Sequence, residues 1–283
     1  FCFSQSLNQD EKEIQRFVEN KTSEAIDLLE KIVNINSGTL NIKGNQKVGK
    51  ILQKELDKLG FNTYWVTYPK EVKRAGHLFA EMRGGKGKKI TMVGHLDTVF
   101  ENDHPFQKFV RKGNKAYGPG VDDMKSGDVS MLYIMKALNH IGKLKDMNLT
   151  LVFIGDEEKL GAHPSIVRKE LIDAGKWADI GLGFEGATGI ETGTIARRSA
   201  SSWILTTTGI QGHSSRVFSE TLGYGAIFEA SRIINSFREE LAEEEYLTFN
   251  PGVIVGGTDT NYDPVNARGS AFGKTNVVSQ AVT

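Results

Sequence analysis

The stretch Leu149-Thr150-Leu151-Val152-Phe153-Ile154, followed after Gly155 by Asp156-Glu157-Glu158, constrains this chain more than any other. Six apolar and β-branched residues without helical spacing predict a buried strand. Three neighbouring carboxylates at its end repel one another unless a proton or a cation lies between them. A cation is the better reading, and holding one requires further ligand groups from elsewhere in the chain.

Further strands are predicted at 61–67, 77–82, 89–94 and 178–184, and helical spacing marks 10–35 (one or two helices), 46–59, 129–138 and 164–174. The strand at 89–94 ends in His95-Leu96-Asp97, and the one at 178–184 ends in Glu185. Strands alternating with helices predict an α/β domain with a mostly parallel sheet and helices on both faces. Ligands of such sheets sit beyond the carboxyl ends of the strands, where this chain places a His and several acids. From about residue 196 the pattern changes to strands at 202–209, 252–256 and 271–282 around one long helix at 222–241. We therefore expect one domain over 10–195 and a second, α+β domain over 196–283.

Composition narrows the chemistry. Lys+Arg and Asp+Glu both number 35, so no polyanion-binding surface is implied and nucleic acid is not expected as a partner. The single cysteine, Cys2, excludes an internal disulfide and any Cys-based zinc site, leaving His, Asp and Glu as ligands. No stretch is long enough to span a membrane. Residues 1–9, beginning Phe1-Cys2-Phe3-Ser4, read as a signal-peptide remnant or a disordered start. The first reading makes the protein periplasmic or secreted; otherwise it is cytoplasmic.

In His95-Leu96-Asp97 the two polar side chains fall on one face of an extended chain, and a carboxylate there can hold the free nitrogen of a metal-bound imidazole. The loop Tyr117-Gly118-Pro119-Gly120-Val121-Asp122-Asp123-Met124-Lys125 precedes a helix, where the ordinary role of an aspartate is a cap worth about 1 kcal/mol. Collected, the candidate ligands are His95, Asp123, Glu158 and Glu185. That many carboxylates ask for more positive charge than one divalent ion supplies, and two ions bridged by a carboxylate would satisfy them. Zinc suits a mixed His/Asp/Glu set, with cobalt or manganese as alternatives. One acid of the triplet is then left as general base on a metal-activated water. The set is short of at least one further ligand.

Taken in order, His95-Leu96-Asp97-Thr98, the Gly-Pro loop through Lys125, Gly155-Asp156-Glu157-Glu158, Phe184-Glu185 and Gly212-His213-Ser214-Ser215 resemble the motifs of the dinuclear zinc peptidase and deacylase family. That family includes glutamate carboxypeptidase, aminoacylase, acetylornithine deacetylase and succinyl-diaminopimelate desuccinylase, and the bacterial glutamate carboxypeptidases are the most similar in pattern. The resemblance implies a hydrolase of an amide bond in a peptide or N-acyl amino acid. It implies that His95 and Glu185 bind one metal, Glu158 the other, that Asp123 bridges, that Asp97 orients His95 and that Glu157 is the general base. It makes 196–283 an inserted lid and dimerisation domain of a homodimer, with His213 and Asn276 contacting substrate. It also implies a return to the catalytic domain beyond Thr283, carrying an Arg and a second-metal His. The competing reading is a non-catalytic metal-binding or dimerisation homologue, or a truncated inactive fragment. The segment Lys159-Leu160-Gly161-Ala162-His163-Pro164 departs from the family pattern and is expected to reshape one wall of the site, with His163 a loop residue and not a ligand.

Overall fold

The computed structural model describes residues 7–187, 189, 192–264 and 267–283. Residues 1–6, on which the signal-peptide reading rests, lie outside that set. The chain divides into two units, Phe1–Gly193 and Thr194–Thr283.

In the first unit, α1 (Gln9–Val33) opens on a capping box: the Asn8 side chain accepts from Glu11 N, and Glu11 accepts in return from Asn8 N. α2 (Ile42–Lys58) buries Val48, Leu52 and Leu56, four apart on one face, while Lys43, Lys47, Lys50 and Lys54 stay in solvent. Then follow β1 (Asn62–Val66), β2 (His77–Met82), β3 (Lys89–His95) and the hairpin β4 (Val110–Lys112) and β5 (Lys115–Tyr117). The unit continues with α3 (Ser126–His140), β6 (Asn148–Ile154), α4 (Pro164–Val167), α5 (Lys169–Trp177) and β7 (Ile180–Gly183). The single helix predicted over 164–174 is two, because Arg168, at φ −124° and ψ 5°, interrupts it.

The sheet order is β1-β2-β6-β3-β7. β6, β3 and β7 are mutually parallel, β2 is antiparallel to β6, and β1 is antiparallel to β2, so four of the five strands run one way. Side chains alternate across it. Leu78, Ala80, Met92, Leu149, Leu151 and Phe153 pack with Ile32, Leu52, Leu56, Met131 and Leu132 from α1, α2 and α3. Phe79, Val152 and Ile154 face the other way, onto Leu171 and Ala174 of α5. Helices thus cover both faces, and each fully buried Leu, Ile or Phe is worth roughly 1.5–3 kcal/mol over its exposed state.

The second unit holds β8 (Thr207–Thr208), α6 (Ala226–Leu241), β9 (Gly256–Gly257), β10 (Asp259–Asp263), β11 (Arg268–Phe272) and β12 (Ala281–Val282). Its three-stranded sheet, ordered β8-β12-β9, packs Val282 on Ala226 and Ala230 of α6, and β10 pairs with β11. The strands predicted at 202–209 and 271–282 are shorter than their alternation suggests. Ladder pairing in the first is confined to two residues, and the second region is split between β11 and β12. No helix among the described residues is long and apolar enough to cross a membrane.

Candidate metal centre

Three neighbouring parallel strands end side by side, and their ends carry the polar residues. His95 closes the central β3. The acid triplet follows β6 on one side, and Glu185 follows β7 on the other, where Phe184 N still donates to Val93 O at 3.1 Å. The fourth group comes from the turn before α3, and two close approaches set its position. A Cβ at Gly94 would lie 2.2 Å from Asp128 Oδ1, and one at Gly127 would lie 2.0 Å from Phe184 O. Only glycine lets the first turn of α3 come this near β3 and the exit of β7. The segment leading into that turn carries Asp123 to the imidazole, with Asp123 Oδ1 2.9 Å from His95 Nε2. Buried Lys125 pins the same turn, its Nζ donating to Ile32 O at 3.1 Å and Ile35 O at 3.2 Å at the end of α1.

The orientation of His95 follows from its other nitrogen. Nδ1 lies 3.0 Å from Asp97 O, and a carbonyl only accepts, so Nδ1 carries the hydrogen. Nε2 then faces Asp123 Oδ1 at 2.9 Å and Glu185 Oε1 at 3.7 Å, and in the neutral ring it presents a lone pair towards them. Lone pairs and carboxylates face one another there, which a cation or a proton must reconcile. His95, Asp123 and Glu185 each offer one ligand atom, all within 4.8 Å of one another. This donor set fits a divalent cation of the zinc type.

The ionisation of the ligands carries the same demand for positive charge. Burial pushes the His95 imidazole down, but the hydrogen bond and charge of Asp97, with Asp128 and Glu185 behind it, together carry it up to about 10. Glu158 is raised to about 7, first by burial and then by the charge of Asp123. Glu158 is therefore an electrostatic neighbour of Asp123 and His95, although it is not in the three-residue group. The exposed Glu157 lies beside it.

Asp97 organises this corner. Fully buried, it accepts from Thr39 Oγ1 at 2.7 Å, Glu157 N at 3.0 Å and Glu158 N at 3.1 Å, with His95 Nδ1 3.5 Å from Oδ1. The resulting balance of contacts holds its carboxyl below the usual range despite burial. Thr39 reaches it because residues 37–39 pair with Thr98, through Thr39 N to Thr98 O at 3.2 Å and Thr98 N to Ser37 O at 3.0 Å.

The capping role available to Asp122 or Asp123 is not taken up, since no side chain caps α3 and Asp123 turns to His95. Asp122 is exposed and lies against Gly186, one residue beyond Glu185. His163 caps α4, its Nδ1 accepting from Ser165 N at 3.3 Å. In the second unit the backbones around His213 and Asn276 adjoin: Ser214 N donates to Asn276 O at 2.9 Å, and His213 pairs with Val277 in an isolated antiparallel bridge.

Sequence reasoning missed Asp128. It is fully buried behind His95, neither carboxylate oxygen has a hydrogen-bond partner, and burial raises its carboxyl well above the usual range. The signal available was an acid immediately before the apolar run at 129–138, on a face the helix must bury.

A family model described as peptidase family M20/M25/M40 matches residues 91–279. Carboxypeptidase G2 of Pseudomonas sp. (strain RS-16) is 30% identical over 249 residues, which cover 86% of this chain and 57% of that protein. A succinyl-diaminopimelate desuccinylase of Gluconobacter oxydans is 27% identical over 246 residues, 78% of this chain and 59% of that protein. The chain thus spans less than two thirds of either relative. Among solved structures, aminopeptidase PepT from Bacillus cereus superposes with a TM-score of 0.59 at 16% identity, over 92% of this chain and 64% of that one. Human carnosine dipeptidase 1 superposes with a TM-score of 0.53 at 14% identity, over 96% of this chain and 70% of that one. At such identities the structural likeness speaks for the fold alone.

Proposed function

The chain belongs to peptidase family M20/M25/M40, and on that premise we propose that it is a metal-dependent hydrolase of an amide bond in a peptide or N-acyl amino acid. The observation that carries the reading is the convergence of His95 Nε2, Asp123 and Glu185 beside the acid triplet. His95 and Glu185 would hold one ion, Glu158 a second, and Asp123 would lie between them, zinc being the first choice of metal and cobalt or manganese the next. Bound divalent ions supply Lewis acidity, polarising a carbonyl and making water a stronger acid. Asp97 keeps the hydrogen of His95 on Nδ1 and the backbone of Glu157 and Glu158 in place. Glu157, exposed at the mouth of the strand ends, takes a proton from the attacking water and returns it to the leaving nitrogen. The second unit would act as lid and dimerisation domain, with His213 and Asn276 meeting substrate. The adjoining backbones of those two residues support a shared role.

Activity of the full-length protein against dipeptides and N-acyl amino acids should vanish on dialysis against a chelator and return with zinc. Metal uptake should also release protons, because His95 (raised to about 10) and Glu158 (raised to about 7) must lose theirs to ligate. Both shifts are upward, so protons compete hardest at low pH and affinity strengthens as pH rises. Between pH 6 and 8 apparent affinity should increase on the order of 100- to 1,000-fold, roughly a decade per pH unit for each protonated ligand. Calorimetry in buffers of different ionisation heat counts the protons. A pH-independent affinity would remove His95 and Glu158 from the ligand set.

A further inference from the structure

Glu157 and Glu158 stand on a loop with no regular secondary structure, yet their side chains must be held steady for either to work. On one side their amides are fixed by Asp97, at 3.0 Å and 3.1 Å. On the other side stands Asp156, which is fully buried. Arg168 grips that residue twice, Nη1 donating to Asp156 Oδ1 at 2.5 Å and Nη2 to Asp156 O at 3.1 Å. The second carboxylate oxygen of Asp156 accepts from Gly161 N at 3.1 Å and closes the loop. Further along, Arg74 Nε donates to Lys159 O at 2.8 Å. Arg168 is available for this because the chain breaks between α4 and α5 at that residue.

We propose that Arg168, through its two-point hold on Asp156, is a positioning residue that fixes Glu157 and Glu158 for the hydrolytic site. The inference rests on the proposed function for its catalytic consequence, but its geometric part stands without it. A planar guanidinium can hold a side-chain oxygen and a backbone carbonyl of one residue together, which a single ammonium does less well. Without Arg168 the buried Asp156 carboxylate keeps only the Gly161 N–H at 3.1 Å and the His77 imidazole, 4.0 Å from Oδ1 and held towards its neutral form by burial. Such a carboxylate is relieved by turning towards water, and the two following residues move with it. Displacements near 1 Å in a site of this kind cost about a hundredfold in rate. The segment 159–164, which departs from the family pattern, then acts as the span between the acid triplet and its clamp.

The test compares the wild-type full-length protein with Arg168→Met and Arg168→Lys, reading amide hydrogen exchange and kcat and KM at equal metal content. Arg168→Met should speed exchange at Glu157, Glu158 and Gly161 roughly ten- to hundredfold, leaving β2, β3 and β6 unchanged. It should lower kcat about ten- to hundredfold with KM moving far less. Arg168→Lys, which keeps the charge and guards against a variant that fails to fold, should fall between Met and wild type in both readouts. Unchanged exchange at those three amides in either folded variant overturns the clamp, whatever the protein hydrolyses. Faster exchange there with wild-type kcat overturns the positioning role. A wild type that hydrolyses no amide substrate overturns the proposed function instead, and the exchange data still judge the clamp.

Discussion

Asp97→Ala should cost the protein about 3–5 kcal/mol of stability, the range for breaking a buried charged pair by removing one partner, and on the order of 10- to 100-fold in metal affinity. Both losses come from one side chain. Asp97 is fully buried and holds Thr39, the backbone N–H groups of Glu157 and Glu158, and the Nδ1 side of His95. Alanine leaves the Thr39 hydroxyl and the two backbone N–H groups facing a small apolar gap, each orphaned group costing roughly 1–3 kcal/mol, while His95 Nδ1 keeps its bond to the carbonyl of residue 97. The loop bearing Glu157 and Glu158 loses its hold on both backbone N–H groups at the same time. Asp97→Asn should recover little, because its NH₂ would point a donor at a site built from donors. Urea unfolding of the metal-free proteins and competition with a chelator measure the two effects separately. An Asp97→Ala variant within 1 kcal/mol of wild type would mean that the contacts around this carboxylate contribute little net free energy.

Glu157→Gln should lower kcat by about 10²- to 10⁴-fold, the usual worth of a positioned general acid–base group. Metal content should stay at the wild-type level. The separation follows from the geometry: the convergent ligand atoms belong to His95, Asp123 and Glu185, while Glu157 shares with Glu158 only the backbone hold of Asp97. Glutamine keeps the shape and loses the ability to take a proton. Steady-state kinetics alongside metal analysis checks both halves, and a near wild-type rate would remove Glu157 from the role.

What could be read without coordinates was whatever local pattern decides. The unbroken apolar, β-branched run at 149–154 reports a strand buried on both faces, and β6 forms there with one added residue, while β2 forms over the predicted 77–82. The polar residues at the ends of β3, β6 and β7 were legible for the same reason, since a strand that stops being apolar marks its own end. Long-range packing decided the rest. Thr39 meets Asp97 across 58 residues of chain and Arg168 meets Asp156 across a helix break, and neither contact leaves a periodic trace. Asp123 read equally well as a helix cap because its partner His95 is 28 residues away. The alternation in 202–209 overstated a strand: residues 201–204 are exposed, and only Thr207–Thr208 joins the ladder with β12.

The central claim is that the cluster at the ends of β3, β6 and β7 is a metal centre. Anomalous diffraction from crystals of the zinc-loaded full-length protein tests it most directly. Anomalous density is expected in the space bounded by His95 Nε2, Asp123 and Glu185, with a second peak between Asp123 and Glu158. Zinc found elsewhere, with His95 Nε2 still resting on Asp123, would contradict it.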